Sequence, residues 1–137
     1  MRLPTEAEWE YSSKAGKSTF YCSGNTENNL QCVGWYDANS NGAPHKVEAL
    51  LPNSFGLFDM HGNVREWCQD WYGPYSSENL IDPHGPTSGA DRVTRGGGFI
   101  SDQFTCRSTH RLPTDPNLNF MNDIGFRIVI ELPRSAP

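Results

Sequence analysis

The sequence predicts one small domain built from a single helix, a few short strands and long ordered loops. Three observations carry that prediction. The 137 residues leave room for one core and not for two. Thirteen glycines and ten prolines stand beside four tryptophans, five tyrosines and seven phenylalanines. That composition makes regular structure sparse and loops abundant, and it excludes a helical bundle or coiled coil. Finally, one convincing helix signal opens the chain and only short strand signals follow it.

Thr5-Glu6-Ala7-Glu8 reads as a capping box after Pro4, so a helix is expected over about residues 5 to 15, ended by Gly16. From Lys17 to Pro52 the chain is rich in Asn, Ser and Gly and carries only short apolar clusters, Phe20-Tyr21 and Val33-Gly34-Trp35-Tyr36. An ordered loop attached to the core by its aromatics is expected there. Strands are expected at Val64 to Trp71, at Arg92 to Thr94, at Thr105 to Arg111 and at Ile124 to Leu132. The last signal is the strongest, because Phe126, Ile128, Ile130 and Leu132 alternate onto one face. Gly73-Pro74, Asp82-Pro83, Gly85-Pro86 and Asp115-Pro116 mark turns. The domain is expected to occupy residues 1–132, with 133–137 as a frayed tail.

Eleven Lys and Arg against sixteen Asp and Glu leave a net charge of −5. Such a chain offers no cationic footprint for phosphates, so nucleic acid is not an expected partner. No apolar run exceeds three residues, as at Ala49 to Leu51 or Ile128 to Ile130, whereas a membrane span needs about twenty; no membrane association is expected. The opening Met1-Arg2-Leu3-Pro4 lacks the charged and apolar regions of a secretory signal. The chain is therefore read as cytoplasmic, processed or a fragment, and its location stays open. Four cysteines allow three pairings and suit either an oxidising compartment or buried thiols.

No two of His45, His61, His84 and His110 have metal-ligand spacing, so no zinc or iron centre is expected from this chain alone. Glu66 and Asp70, four apart beside Trp67 and Trp71, could be read as an acid-base pair, but are expected instead to serve as a metal ligand and an arginine partner. No Ser-His-Asp order, glycine-rich phosphate loop or nucleophile elbow is present. Arg95, Arg107, Arg111 and Arg127 could together clamp an anion; Arg95 and Arg127 are expected rather to bond loop carbonyls and Glu66 or Asp70.

The segments RLPTEAEWEY (Arg2 to Tyr11), NSFGLFDMHGNVREWCQDWY (Asn53 to Tyr72), DPHGPTSGADRVTRGGGF (Asp82 to Phe99) and IGFRIVI (Ile124 to Ile130) occur in that order. Together they resemble the formylglycine-generating enzyme, or sulfatase-modifying factor, family over nearly the whole chain. The resemblance implies an α+β, C-type-lectin-like fold with little regular structure. In that family the RLPTEAEWEY helix lies well inside the domain, so the resemblance implies that roughly the first third of the domain is absent from this sequence. That loss would expose apolar surface, which a homodimer, with or without exchanged elements, or a companion polypeptide is expected to cover.

The resemblance also assigns sites. The segment Asp59 to Glu66 matches one that wraps calcium, which implies Asp59, the backbone carbonyls of Gly62 and Val64, and Glu66 as ligands; hard cations favour such oxygens. His61 is implied to be a hydrogen-bonding turn residue. If the compartment oxidises, the preferred disulfides are Cys22 with Cys32 and Cys68 with Cys106. The catalytic members hold copper(I) through two cysteines after a Gly-Gly-Ser motif. Here the motif reads Gly96-Gly97-Gly98, Ser101 takes the first cysteine position, and Cys106 is the loop's only thiol. Copper(I) wants soft thiolates, so neither copper nor formylglycine formation is expected.

The expected function is that of a non-catalytic module binding a small ligand or a protein. Phe99, Ser101, Asp102, Phe104, Arg107 and Phe120 are expected to line its recognition surface, since loops on a rigid scaffold concentrate binding residues. Three alternatives accompany it. One is an oxidoreductase subunit resembling the related domain of ergothioneine-type sulfoxide synthases, completed by a partner chain. Another is a copper oxidase using Cys106 with a thiol from elsewhere. The third is a retroelement-diversified binding protein, in which variable residues sit between a Gly-Gly-Ser-like turn and a Gly-Phe-Arg strand.

Overall fold

A computed structural model describes residues 1–118 and 120–132. The expected tail 133–137 lies outside the described residues. Helix α1 spans Glu6–Lys14 and opens on the expected box: Thr5 Oγ1 accepts from the Glu8 N–H at 3.2 Å, and Glu8 returns Oε2 to the Thr5 N–H at 2.8 Å. A second helix, α2, spans Glu27–Gln31 inside the segment expected to be loop, and it too carries a box, between Thr26 and Asn29.

Among the described residues four strands form one mixed sheet in the order β3-β2-β1-β4. Central β1 (Arg65–Trp71) runs antiparallel to β2 (Arg92–Arg95) and parallel to β4 (Ile124–Gly125), while β2 pairs antiparallel with β3 (Arg111–Thr114). Along β1 the side chains of Glu66, Cys68 and Asp70 are buried in alternation. Against that inner face sits α1, whose Trp9 is 1% exposed and donates Nε1 to Glu66 Oε2 at 2.7 Å.

Two strand expectations need correction. Residues 105 to 110 hold turns rather than strand, and pairing begins only at Arg111. The reason is Arg95, whose guanidinium takes the carbonyls of Ser108, Thr109 and His110 at 2.9, 3.0 and 2.9 Å and so winds that segment around one side chain. The strand that follows contains Pro113, which costs nothing at the sheet edge because no ladder N–H is required there. The second correction concerns Ile124 to Leu132, of which only Ile124–Gly125 is regular strand. Beyond it the chain continues to a single bridge between Val129 and Arg2. Its apolar row faces outward: Phe126, Ile128, Ile130 and Leu132 are 69, 47, 65 and 82% exposed.

The core is divided. Trp9, Met60, Cys68 and Val93 pack under α1, with Leu57 against them. Tyr21, Leu30, Tyr36 and Cys106 pack beneath the loops on the other side. All four cysteines are free thiols, and Cys68 and Cys106 lie in these separate clusters rather than bonded to each other. His61 joins the two halves, its Nδ1 hydrogen-bonded to the Cys106 carbonyl at 2.9 Å and its Nε2 accepting the Cys22 N–H at 3.0 Å.

Candidate functional site

The turn at Gly96-Gly97-Gly98 ends β2 and launches the loop in which binding residues were expected. At Gly97, with φ +68°, a Cβ would stand 2.6 Å from Cys106 Sγ, so only glycine lets the turn close over the thiol. Cys106 is fully buried and burial pushes its thiol up to about 12. Burial thus favours its neutral form and shields it from solvent, unlike the exposed thiolate of a reactive cysteine. Ser101 is also turned inward, its Oγ accepting the Gly98 N–H at 2.9 Å and its carbonyl accepting the Asp37 N–H at 3.0 Å.

At the surface of the loop two partly exposed rings flank a half-buried guanidinium. Arg107 lies over Phe20 at 4.1 Å and over Phe104 at 4.8 Å from the ring centroids. The rings are 45 and 53% exposed, and the Arg107 Nε is buried with no hydrogen-bond partner among the described residues. Cation–π contact of this kind fixes the orientation of the planar head. Asp102 is exposed nearby in sequence. The backbone N–H of Thr105, at 2.8 Å, holds its carboxyl below the usual carboxylate range. Phe120 is 95% exposed.

Phe99 is the correction in this set. It is buried at 4% exposure, its N–H donates to Asn63 O at 2.8 Å and its carbonyl accepts from Ser40 Oγ at 2.6 Å, so it plugs the core instead of facing a ligand. Phe20, a member of the cluster, came from a segment read only as aromatic loop; no sequence signal placed it beside Arg107.

The four residues expected to hold calcium line one cavity of about 330 Å3 together with Phe126 and Arg127. Asp59, in the left-handed region at φ 57°, accepts the Glu48 N–H on Oδ2 at 2.9 Å, whereas its Oδ1 is buried with no partner among the described residues. Glu66 is already engaged: Arg127 reaches its two oxygens at 2.6 and 2.7 Å, and Trp9 shares one of them. Orphaned Oδ1 is an atom that a cation would satisfy, while Glu66 would have to share its carboxylate with Arg127.

Arg111 does not take part in an anion clamp, because its Nε and Nη2 are given to Glu6 at 2.8 and 2.6 Å and its Nη1 to the Gly73 carbonyl at 2.7 Å. Asp70 and Glu66 sit on the same buried face of β1 but have separate partners, Asp70 Oδ2 accepting the Glu6 N–H at 2.8 Å. Among the described residues no three His, Cys, Asp or Glu side chains are grouped so as to hold a metal ion.

Comparison with known proteins agrees with this architecture. Residues 1–132 match the sulfatase-modifying factor enzyme 1-like domain, and the chain belongs to that family. It is 36% identical to a formylglycine-generating enzyme of Streptomyces coelicolor, over 92% of this chain and 45% of that protein. It is 38% identical to a serine/threonine-protein kinase, pkn1, of Chlamydia pneumoniae, over 92% of this chain and 20% of the kinase. Among solved structures, Treponema denticola variable protein 1 superposes with a TM-score of 0.86 at 39% identity, over 91% of this chain and 45% of that one. The fold is thus the α+β, C-type-lectin-like fold of the formylglycine-generating enzymes, and the chain spans less than half the length of these relatives.

Proposed function

We propose that this chain is a non-catalytic binding module whose recognition surface is built on Arg107, Phe104 and Phe20, with Asp102 and the exposed Phe120 as its further contact residues. The observation that carries this reading is the division of labour within one loop. Its only thiol is sealed under Gly97 with its pKa raised by burial, while the neighbouring half-buried guanidinium lies over two partly exposed rings. A partly exposed aromatic and guanidinium pair supplies the anchors that dominate protein and ligand interfaces. Likeness to a protein named as variable, at 39% identity, favours the diversified form of the same binding reading.

A random peptide library displayed on phage tests the surface. R107A, F104A and F120A are expected to abolish enrichment one by one while leaving the melting temperature unchanged; enrichment that survives all three moves the site elsewhere. Copper(I)-dependent conversion of a cysteine in a sulfatase-motif peptide would overturn the non-catalytic reading.

Calcium belongs to the same proposal as a structural ion, held by Asp59 Oδ1 and the carbonyls of Gly62 and Val64 with Glu66 closing the site. Its role there is electrostatic, satisfying an oxygen that is otherwise buried alone. Calcium at 100 times its dissociation constant is expected to add about 2.7 kcal/mol of stability, and D59N to remove that gain. A melting temperature indifferent to calcium and EDTA sinks this part of the proposal.

A further inference from the structure

A cavity of about 920 Å3 lies away from the loop at 99–107. It opens between the outer side of α1 and the turn-rich segment 73–86, and its volume is that of a small-molecule site. Tyr11, Tyr75 and Leu80 stand at its mouth, 68, 67 and 54% exposed. Tyr75 is held rigidly: its hydroxyl donates to Glu6 Oε1 at 3.1 Å and its ring lies over the Arg111 guanidinium at 4.1 Å. The apolar wall is therefore preorganised rather than a loose flap.

The charges of the lining decide what the cavity selects. Both cations in it are ion-paired, Arg111 with Glu6 at 2.6 Å and Lys14 with Glu10 at 2.6 Å, and the buried Arg95 pairs with both of those carboxylates from behind. Asp70 is the one lining carboxylate outside these pairs. It is 4% exposed, it forms no ion pair among the described residues, and one of its oxygens accepts the Glu6 N–H. The other, Oδ1, faces the Gly85 side of the wall, where a Cβ on that glycine would come within 3.1 Å. His84 lies on the same wall without reaching ion-pair distance. A buried carboxylate without a cation is costly, and a bound cation repays that cost.

We infer that this cavity binds a small organic ammonium with an aromatic body, the ammonium set against Asp70 and the body against Tyr75, Tyr11 and Leu80. The net charge of −5 adds a field that draws cations toward the chain. The site shares no residue with the surface proposed above, so the two inferences stand or fall separately.

Calorimetric titration of the full chain with three probes of one shape tests it: tryptamine, indole-3-propionate and 3-ethylindole. Tryptamine is expected to bind at least tenfold more tightly than the anion or the neutral probe. D70N should erase that preference. Should D70N fail to fold, L80W decides, because it fills the mouth from an exposed position and must abolish tryptamine binding. Equal affinity for the three probes, retention of the preference in D70N, full binding to L80W, or no binding of tryptamine at millimolar concentration overturns the inference.

Discussion

His61 is fully buried and uses both ring nitrogens, one on the Cys106 carbonyl and one on the Cys22 N–H. A second ring proton would break the Cys22 contact, and burial lowers its pKa from 6.5 to about 4. The folded state thus binds fewer protons than the unfolded chain between those values. The associated stability is complete above pH 6.5 and is lost as pH falls toward 4, about 3 kcal/mol in all. Urea unfolding at stepped pH should show that slope in the native chain and a flatter one in H61Q, and equal slopes would refute it. Glu8, held at about 2 chiefly by its hydrogen bond to Arg2, loses its own contribution only at lower pH. His61 as a hydrogen-bonding turn residue was legible from the motif DMHGNVRE. Its partners were not, since both lie far away in sequence. The same limit applies to Phe20 and Arg107: a stacked pair 87 positions apart leaves no periodic trace.

At the scale of elements, legibility followed the range of the determining interactions. The capping box of α1 is local, and its helix was readable to within a residue or two. Strands β1 and β2 carry their own apolar positions and were readable as well. The turns at 105–110 depend on Arg95 reaching across from another strand, so β-like composition misled. Helix α2 has only five residues and reads as Asn-rich loop, because its box uses Asn29 where Glu or Gln is the usual signal. Its placement depends on Gly34, where a Cβ would lie 1.6 Å from the His61 carbonyl. No rotamer relieves a clash with backbone, so G34A must push the segment after α2 off the 61–63 turn. A loss of about 3 kcal/mol in chemical denaturation is expected. Gly42 supplies the contrast, with φ +70° and nothing within 4 Å; G42A should cost only about 1 kcal/mol of backbone strain. Similar losses in the two variants would show that the close approach does not hold α2 in place.

For the molecule as a whole, the outermost segment after β4 is the one whose sequence pattern and structure disagree most. Strict alternation at Phe126, Ile128, Ile130 and Leu132 is the pattern of a strand with one buried face, yet here the intervening residues do the holding. Arg127 pairs with Glu66, Val129 bridges Arg2, and Glu131 pairs with Arg2. Local alternation states that a face wants covering and is silent about what covers it. The row lies beyond β4 on a segment held by the Val129–Arg2 bridge, and its apolar side chains are left uncovered. The expected occupant is a second copy of this chain, for a two-fold contact between like apolar rows buries the same side chains twice. Burial of the row is worth on the order of 1.5–3 kcal/mol for each side chain before the cost of association is counted. Sedimentation equilibrium at micromolar concentration should therefore give a dimer, and I128K, which places a charge in the middle of the row, should give a monomer that melts at the same temperature or slightly lower. A native chain that sediments as a monomer at those concentrations removes the second copy and leaves a companion polypeptide as the cover for this row.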